Sequence, residues 1–243
     1  TPLNHIIGFT ELVLYKHFGD LNATQEEYLN DSLQSSLHLL ALINDILDVS
    51  KIQAGKLSVD RENINAEPVI RSCLLIIEAK AREKNIEVAT AIAEEAGSIY
   101  ADPLRLKQIL INVMSNAVKF TDADGRVNIS AYRHESGFIC IEVADNGPGM
   151  SPEEIETALR PFGQVHQGLN RAHEGTGLGL PIAAALARLH GGNLSVESRK
   201  GEGTTVRLFL LPAQEGEAAR AEEASAGARM PPATANRHHG QIS

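Results

Sequence analysis

The sequence predicts an α+β chain: a helical hairpin, forming a four-helix bundle as a dimer, followed by a two-layer α/β sandwich. Three observations lead there. Apolar residues in the first 55 positions recur at helical spacing, with one clear break at Gly19-Asp20. From residue 57 strand-like segments mix with helical ones without regular alternation, which favours a mixed sheet with helices on one face over a doubly wound parallel one. From Ala213 onward the chain holds Ala, Glu, Gly, Arg and Pro and no aromatic residue, the composition of a disordered tail. The divisions expected are therefore 1–56, 57–212 and 213–243.

The first helix runs from Pro2 to about Tyr15. The second opens near Asn22 or Thr24, either able to cap it, and ends near Gly55. Leu29, Leu33, Leu40, Ile43 and Leu47 fall on one stripe, too large for two helices to cover, so a second hairpin is expected to complete a bundle. Packing of those leucines on the rest of the chain is the alternative.

Beyond residue 57, helices are expected at about Pro68 to Lys84, Pro103 to Lys119 and Leu178 to His190, the last stopped by Gly191-Gly192 as a left-handed cap. Strands are expected at Val127 to Ser130, Phe138 to Val143 and Thr205 to Leu211.

Composition narrows the function. With 31 acidic residues against 22 Lys and Arg, the net charge of -9 leaves no basic footprint for a phosphate backbone, so nucleic acid is an unexpected partner. The two cysteines, Cys73 and Cys140, lie far apart among apolar neighbours, which points to core packing in a reducing, cytoplasmic setting rather than a disulfide or a metal site. No apolar run approaches the roughly 20 residues of a membrane helix, so any membrane contact is expected through parts absent from this chain.

Three segments carry chemistry. Asn112, Asn116 and Lys119 are spaced four and then three apart and share one helical face. An asparagine oxygen suits a magnesium ion that keeps waters while bridging phosphates, and a lysine adds a point charge. Taken alone, the stripe reads first as a solvated polar face. Asp145-Asn146-Gly147-Pro148-Gly149 follows a strand: the carboxylate can accept from an exocyclic amine such as that of adenine, and Gly147 and Gly149 keep side chains away from a ring. Taken alone, it is also an ordinary turn. Gly175-Thr176-Gly177-Leu178-Gly179 opens a helix, where free amides and the helix dipole favour phosphate. No Gly-Lys-Ser or Gly-Lys-Thr follows, so it is not a Walker loop. The polar segment between Pro161 and Glu174 has the length of a lid.

Together and in this order, the segments resemble the catalytic domain of histidine kinases and the wider ATPase superfamily that includes gyrase, Hsp90 and MutL. The resemblance implies a Bergerat-type sandwich that binds ATP and Mg2+. It implies that Asn112 to Lys119 is the asparagine box, with Asn116 on the metal and Lys119 near the phosphates. Asp145 corresponds to the adenine-recognising aspartate, Gly147 and Gly149 to the first glycine box, and Phe162 to the phenylalanine box. Gly175, Thr176, Gly177, Leu178 and Gly179 correspond to the second glycine box, and Thr204 to a hydroxyl that supports the aspartate through water. Gyrase-like members carry a general-base glutamate where this chain has Asn112, an amide without useful basicity, so phosphotransfer is expected over ATP hydrolysis.

Thr1-Pro2-Leu3-Asn4 with Ile6-Ile7-Gly8-Phe9 resembles the later part of the family's phosphoacceptor box, whose histidine stands four residues before the threonine. No catalytic residue is therefore expected within this chain, the acceptor lying before Thr1. His5 is displaced by eight positions, about 80° around a helix. His17, His38, His134, His166, His173 and His190 lack ligand spacing. The resemblance implies a homodimer that passes the phosphoryl group to a response-regulator aspartate. A non-catalytic ATP-binding dimerisation module is the second reading, and a gyrase-like ATPase the third.

Overall fold

The computed structural model describes residues 1–165 and 176–213. His166 to Glu174 of the expected lid, together with Gly175 and the expected tail, lie outside the described residues, apart from Ala213 itself. The chain divides into two compact units, Thr1–Leu57 and Ser58–Ser243.

The first unit holds two helices packed on one another, α1 (Pro2–Leu14) and α2 (Ala23–Gln53). Proline at the first turn of α1 costs no hydrogen bond there. Asn22 begins α2 through a reciprocal box: its side chain accepts from Gln25 N–H at 2.9 Å, and Gln25 Oε1 accepts from Asn22 N–H at 3.0 Å. Leu29, Leu33 and Leu40 are half-buried, whereas Ile43 and Leu47 remain 42% and 50% exposed. On α1, Ile6 and Phe9 are exposed as well.

In the second unit a two-stranded antiparallel ribbon joins β1 (Glu62–Asn65) to β3 (Ser98–Ala101). The main sheet has the order β2-β4-β5-β7-β6, from β2 (Glu87–Ile92), β4 (Arg126–Arg133), β5 (Ile139–Asp145), β6 (Asn193–Arg199) and β7 (Gly203–Leu210). It is mixed, as expected: β2 runs parallel to β4 and every other pair is antiparallel. Helices α3 (Ala66–Glu83), α4 (Pro103–Phe120) and α6 (Gly179–Leu189) form the second layer, with α4 packed against both others.

The core lies between the layers. Val127, Ile129 and Ala131 of β4 and Ile139, Ile141 and Val143 of β5 alternate with partly polar positions and are buried, as are Ile109, Leu110, Val113 and Met114 of α4. At roughly 25 cal/mol per Å2 each such Val, Ile, Leu or Met side chain contributes about 1.5–3 kcal/mol. On the other face of the sheet Cys140 packs with Phe138, Phe209 and Tyr132, while Arg207 bridges Glu142 and Glu197. Cys73 and Cys140 are both buried free thiols.

Two parts go beyond the sequence expectation. The short helix α5 (Pro152–Ala158) has a strong start signal, Ser151-Pro152-Glu153-Glu154, which forms a capping box, but with seven residues and none buried it shows no apolar stripe. Strands β1, β2, β3 and β6 are short or charged edge segments, whose pairing is decided by neighbours far along the chain. Gly191, at φ 75°, ends α6 as expected.

Candidate nucleotide-binding site

Helix α4 is the spine of the site. Asp102 caps it, accepting from Leu104 N–H at 2.9 Å and Arg105 N–H at 3.1 Å, with Pro103 in its first turn. At its far end Lys84 Nζ donates to the carbonyls of Val118, Lys119 and Thr121 at 3.2, 2.7 and 3.1 Å, a cation held at the negative pole of the helix. Between these anchors Asn112, Asn116 and Lys119 lie half-buried along one face. Burial, with Lys84 nearby, lowers the Lys119 ammonium below its ordinary pKa. Its Nζ stands 4.9 Å from the Phe120 ring centre.

The structure joins both glycine segments to this helix. Asn112 Nδ2 donates to the Gly179 carbonyl at 3.2 Å, where α6 begins. A Cβ on Gly147 would stand 2.9 Å from the Phe120 carbonyl oxygen, so this loop closes on the end of α4. Eight residues separate Asn112 from Phe120, about 12 Å along the axis. Asparagine side chain, phosphate-type helix start and acidic loop thus share one side of the domain.

Asp145 ends β5. Its Oδ1 accepts from Gly147 N–H at 2.9 Å and Thr204 N–H at 3.2 Å, while Oδ2 has no partner among the described residues. Burial raises its pKa above the ordinary carboxylate value, and the two backbone donors oppose the rise. Thr204 touches the carboxylate directly through its backbone, and its hydroxyl lies 2.8 Å from Ser198 Oγ.

The glycines also have a structural reason within the fold. A side chain on Gly147 would strike Phe120, and one on Gly149, at φ 64°, would strike the Arg199 carbonyl. Gly177 is similar: at φ 67° its Cβ would meet the Gly163 carbonyl at 2.6 Å.

Phe162 is 62% exposed and adopts φ 63°, rare for an aromatic residue. Its N–H donates to the Gly177 carbonyl at 3.1 Å, so the phenylalanine segment is tied to the second glycine segment by backbone. Thr176 Oγ1 accepts from Leu178 N–H at 3.2 Å, and Leu178 is buried as the anchor of α6.

Sequence reading did not single out Ser198, which accepts from Met150 N–H at 2.8 Å and holds the first glycine loop against the β6–β7 hairpin. No spacing signal could reveal it, because the two positions are 48 residues apart.

Both units match known proteins. Residues 1–55 match the His Kinase A (phospho-acceptor) domain, and residues 101–215 match the family of histidine kinase-, DNA gyrase B- and HSP90-like ATPases. The sensor-like histidine kinase R01002 of Rhizobium meliloti is 38% identical over 221 residues, 90% of this chain and 42% of its own length. Full-length ShkA in complex with AMPPNP superposes with a TM-score of 0.71 at 32% identity, over 88% of this chain and 44% of ShkA. Histidine kinase ThkA in complex with response regulator protein TrrA gives a TM-score of 0.59 at 25% identity, over 87% of this chain and 58% of ThkA. The chain spans less than half the length of R01002 and ShkA. With the phospho-acceptor domain followed by the ATPase domain in one chain, it belongs to the two-component sensor histidine kinases.

Proposed function

We propose that this chain is the catalytic core of an ATP-dependent protein-histidine kinase. It binds Mg-ATP in the second unit and passes the γ-phosphoryl group to a histidine upstream of Thr1, from which it reaches a response-regulator aspartate. The single observation that carries this reading is the joining of Asn112 to Gly179, of Phe120 to Gly147, and of Asp145 to Thr204 on one side of the domain.

In this reading the unengaged Oδ2 of Asp145 accepts from the adenine amine. The start of α6 and Lys119 take the phosphates. The Asn116 side chain lies half-buried on α4, and among the described residues no group of three or more His, Cys, Asp and Glu could cage an ion. An amide oxygen completed by water and phosphates fits magnesium, so Asn116 Oδ1 would hold it. When bound, the ion neutralises phosphate charge.

Asn112 decides between phosphotransfer and hydrolysis. Its amide is not basic and its Nδ2–H is committed to Gly179, so it activates no water. The γ-phosphorus is left to an imidazole nitrogen: the N–P bond forms, the bond to the β–γ bridging oxygen breaks, and ADP leaves. The first unit is proposed as the homodimer contact, through Ile6, Phe9, Ile43 and Leu47. ThkA in its complex with response regulator protein TrrA supports a response-regulator partner.

The test is incubation with γ-labelled ATP of this chain and of a longer chain extended through the upstream histidine. Acid-labile, alkali-stable label on the longer chain, lost on replacing that histidine, is the expected result. ATP binding without label on either chain would favour a non-catalytic nucleotide-binding module. Label on this chain alone, lost on replacing His5, would move the acceptor to His5.

A further inference from the structure

Strand register sets Asp145, Thr204 and Ser198 side by side on β5, β7 and β6. The Ser198 hydroxyl has one hydrogen and three neighbours: Oγ accepts from Met150 N–H, and stands 2.8 Å from both the Gly203 carbonyl oxygen and Thr204 Oγ1. A carbonyl only accepts, so the serine hydrogen goes to Gly203. The contact between the two hydroxyls must then be donated by Thr204.

We infer that Ser198 is a positioning residue for base selection: by taking the Thr204 hydrogen it fixes the Thr204 hydroxyl as an acceptor beside the Asp145 carboxylate. The inference rests on the adenine reading above. Two adjacent acceptors, acting directly or through a shared water, suit an exocyclic amine. They oppose the carbonyl oxygen that guanine carries at the corresponding ring position, since a site built for one hydrogen-bond polarity leaves the wrong partner unpaired. Without Ser198 the Thr204 hydrogen is free to turn toward the ligand, and guanine is rejected less strongly.

The test is calorimetric titration of the full 243-residue chain with Mg-ATP and Mg-GTP, for the parent, Ser198→Ala, Ser198→Thr, Thr204→Val and the Ser198→Ala/Thr204→Val pair. The ATP-to-GTP affinity ratio is expected to fall about tenfold in Ser198→Ala, the worth of roughly one hydrogen bond. It should be kept in Ser198→Thr, which restores the hydroxyl. It should fall in Thr204→Val and fall no further in the pair. A structural role alone would weaken both nucleotides equally and leave the ratio unchanged, which would overturn the inference, as would a further fall in the pair. If Ser198→Ala does not fold, an unchanged ratio in Thr204→Val overturns it. A parent chain that does not distinguish ATP from GTP would instead remove the adenine reading itself.

Discussion

Asn112 Nδ2 donates to the carbonyl oxygen of Gly179 at 3.2 Å, so the middle of α4 is latched to the first residue of α6. The first asparagine of the α4 stripe is thus a structural latch. Asn112→Asp keeps the shape but sets a carboxylate oxygen against a carbonyl. ATP affinity should fall by about tenfold, read by calorimetry, with the helical signal unchanged.

The ionised Asp145 carboxylate is held where burial disfavours charge. Its folded pKa is raised above the ordinary value of 3.8, so its contribution favours the folded chain at low pH and is lost as pH rises through the folded pKa. At neutral pH the charge is therefore a cost to the empty protein. The substitution Asp145→Asn leaves an amide oxygen that can still accept from Gly147 and Thr204 but carries no charge. The unfolding midpoint at pH 7 should rise by about 2 °C while ATP affinity falls at least about tenfold. A lowered midpoint in thermal scans of the nucleotide-free variant would contradict the cost.

His190 is fully buried and neutral: its Nδ1–H donates to the Leu186 carbonyl at 2.7 Å, and Nε2 accepts from Asp102 N–H at 3.1 Å. Burial lowers its pKa below 6.5, opposed in part by the Leu186 hydrogen bond and by Asp102. Its contribution is fully present above about pH 6.5 and is lost as pH falls from there toward the folded value. Urea unfolding should show stability declining from about pH 7 to pH 5, and His190→Gln, which does not titrate, should flatten that decline.

Asn116→Ala removes the proposed magnesium ligand and leaves the α4 core untouched. Nucleotide affinity should lose its dependence on magnesium, measured with and without the ion. Equal magnesium dependence in parent and variant would take Asn116 out of the site.

The exposed apolar residues of the first unit should make the chain a dimer in solution. Replacing Ile43 and Leu47, 42% and 50% exposed, by Glu places charge on that face without disturbing the Asn22 cap of α2. Light scattering should give the mass of a dimer for the parent and of a monomer for the variant.

Long, periodic segments were legible before any coordinates. The two hairpin helices, α4 with its asparagine stripe, the glycine-capped α6 and the central strands β4, β5 and β7 each carry their own signal, because helix spacing, caps and alternating burial are local properties. The residues of the candidate site were legible for the same reason: each lies in a short segment whose chemistry is read from neighbours in sequence. What they touch was not. That Thr204 meets Asp145 by its backbone, that Ser198 holds both Met150 and Thr204, and that Gly147 and Gly149 are required by Phe120 and Arg199 all depend on register between strands and on packing across the domain. Such contacts join positions tens of residues apart, and no local pattern encodes them. The sequence alone determined which chemical groups this protein has; the tertiary structure alone decided which hydrogen each donates, and to whom, since a hydrogen bond needs its partner within about 3 Å.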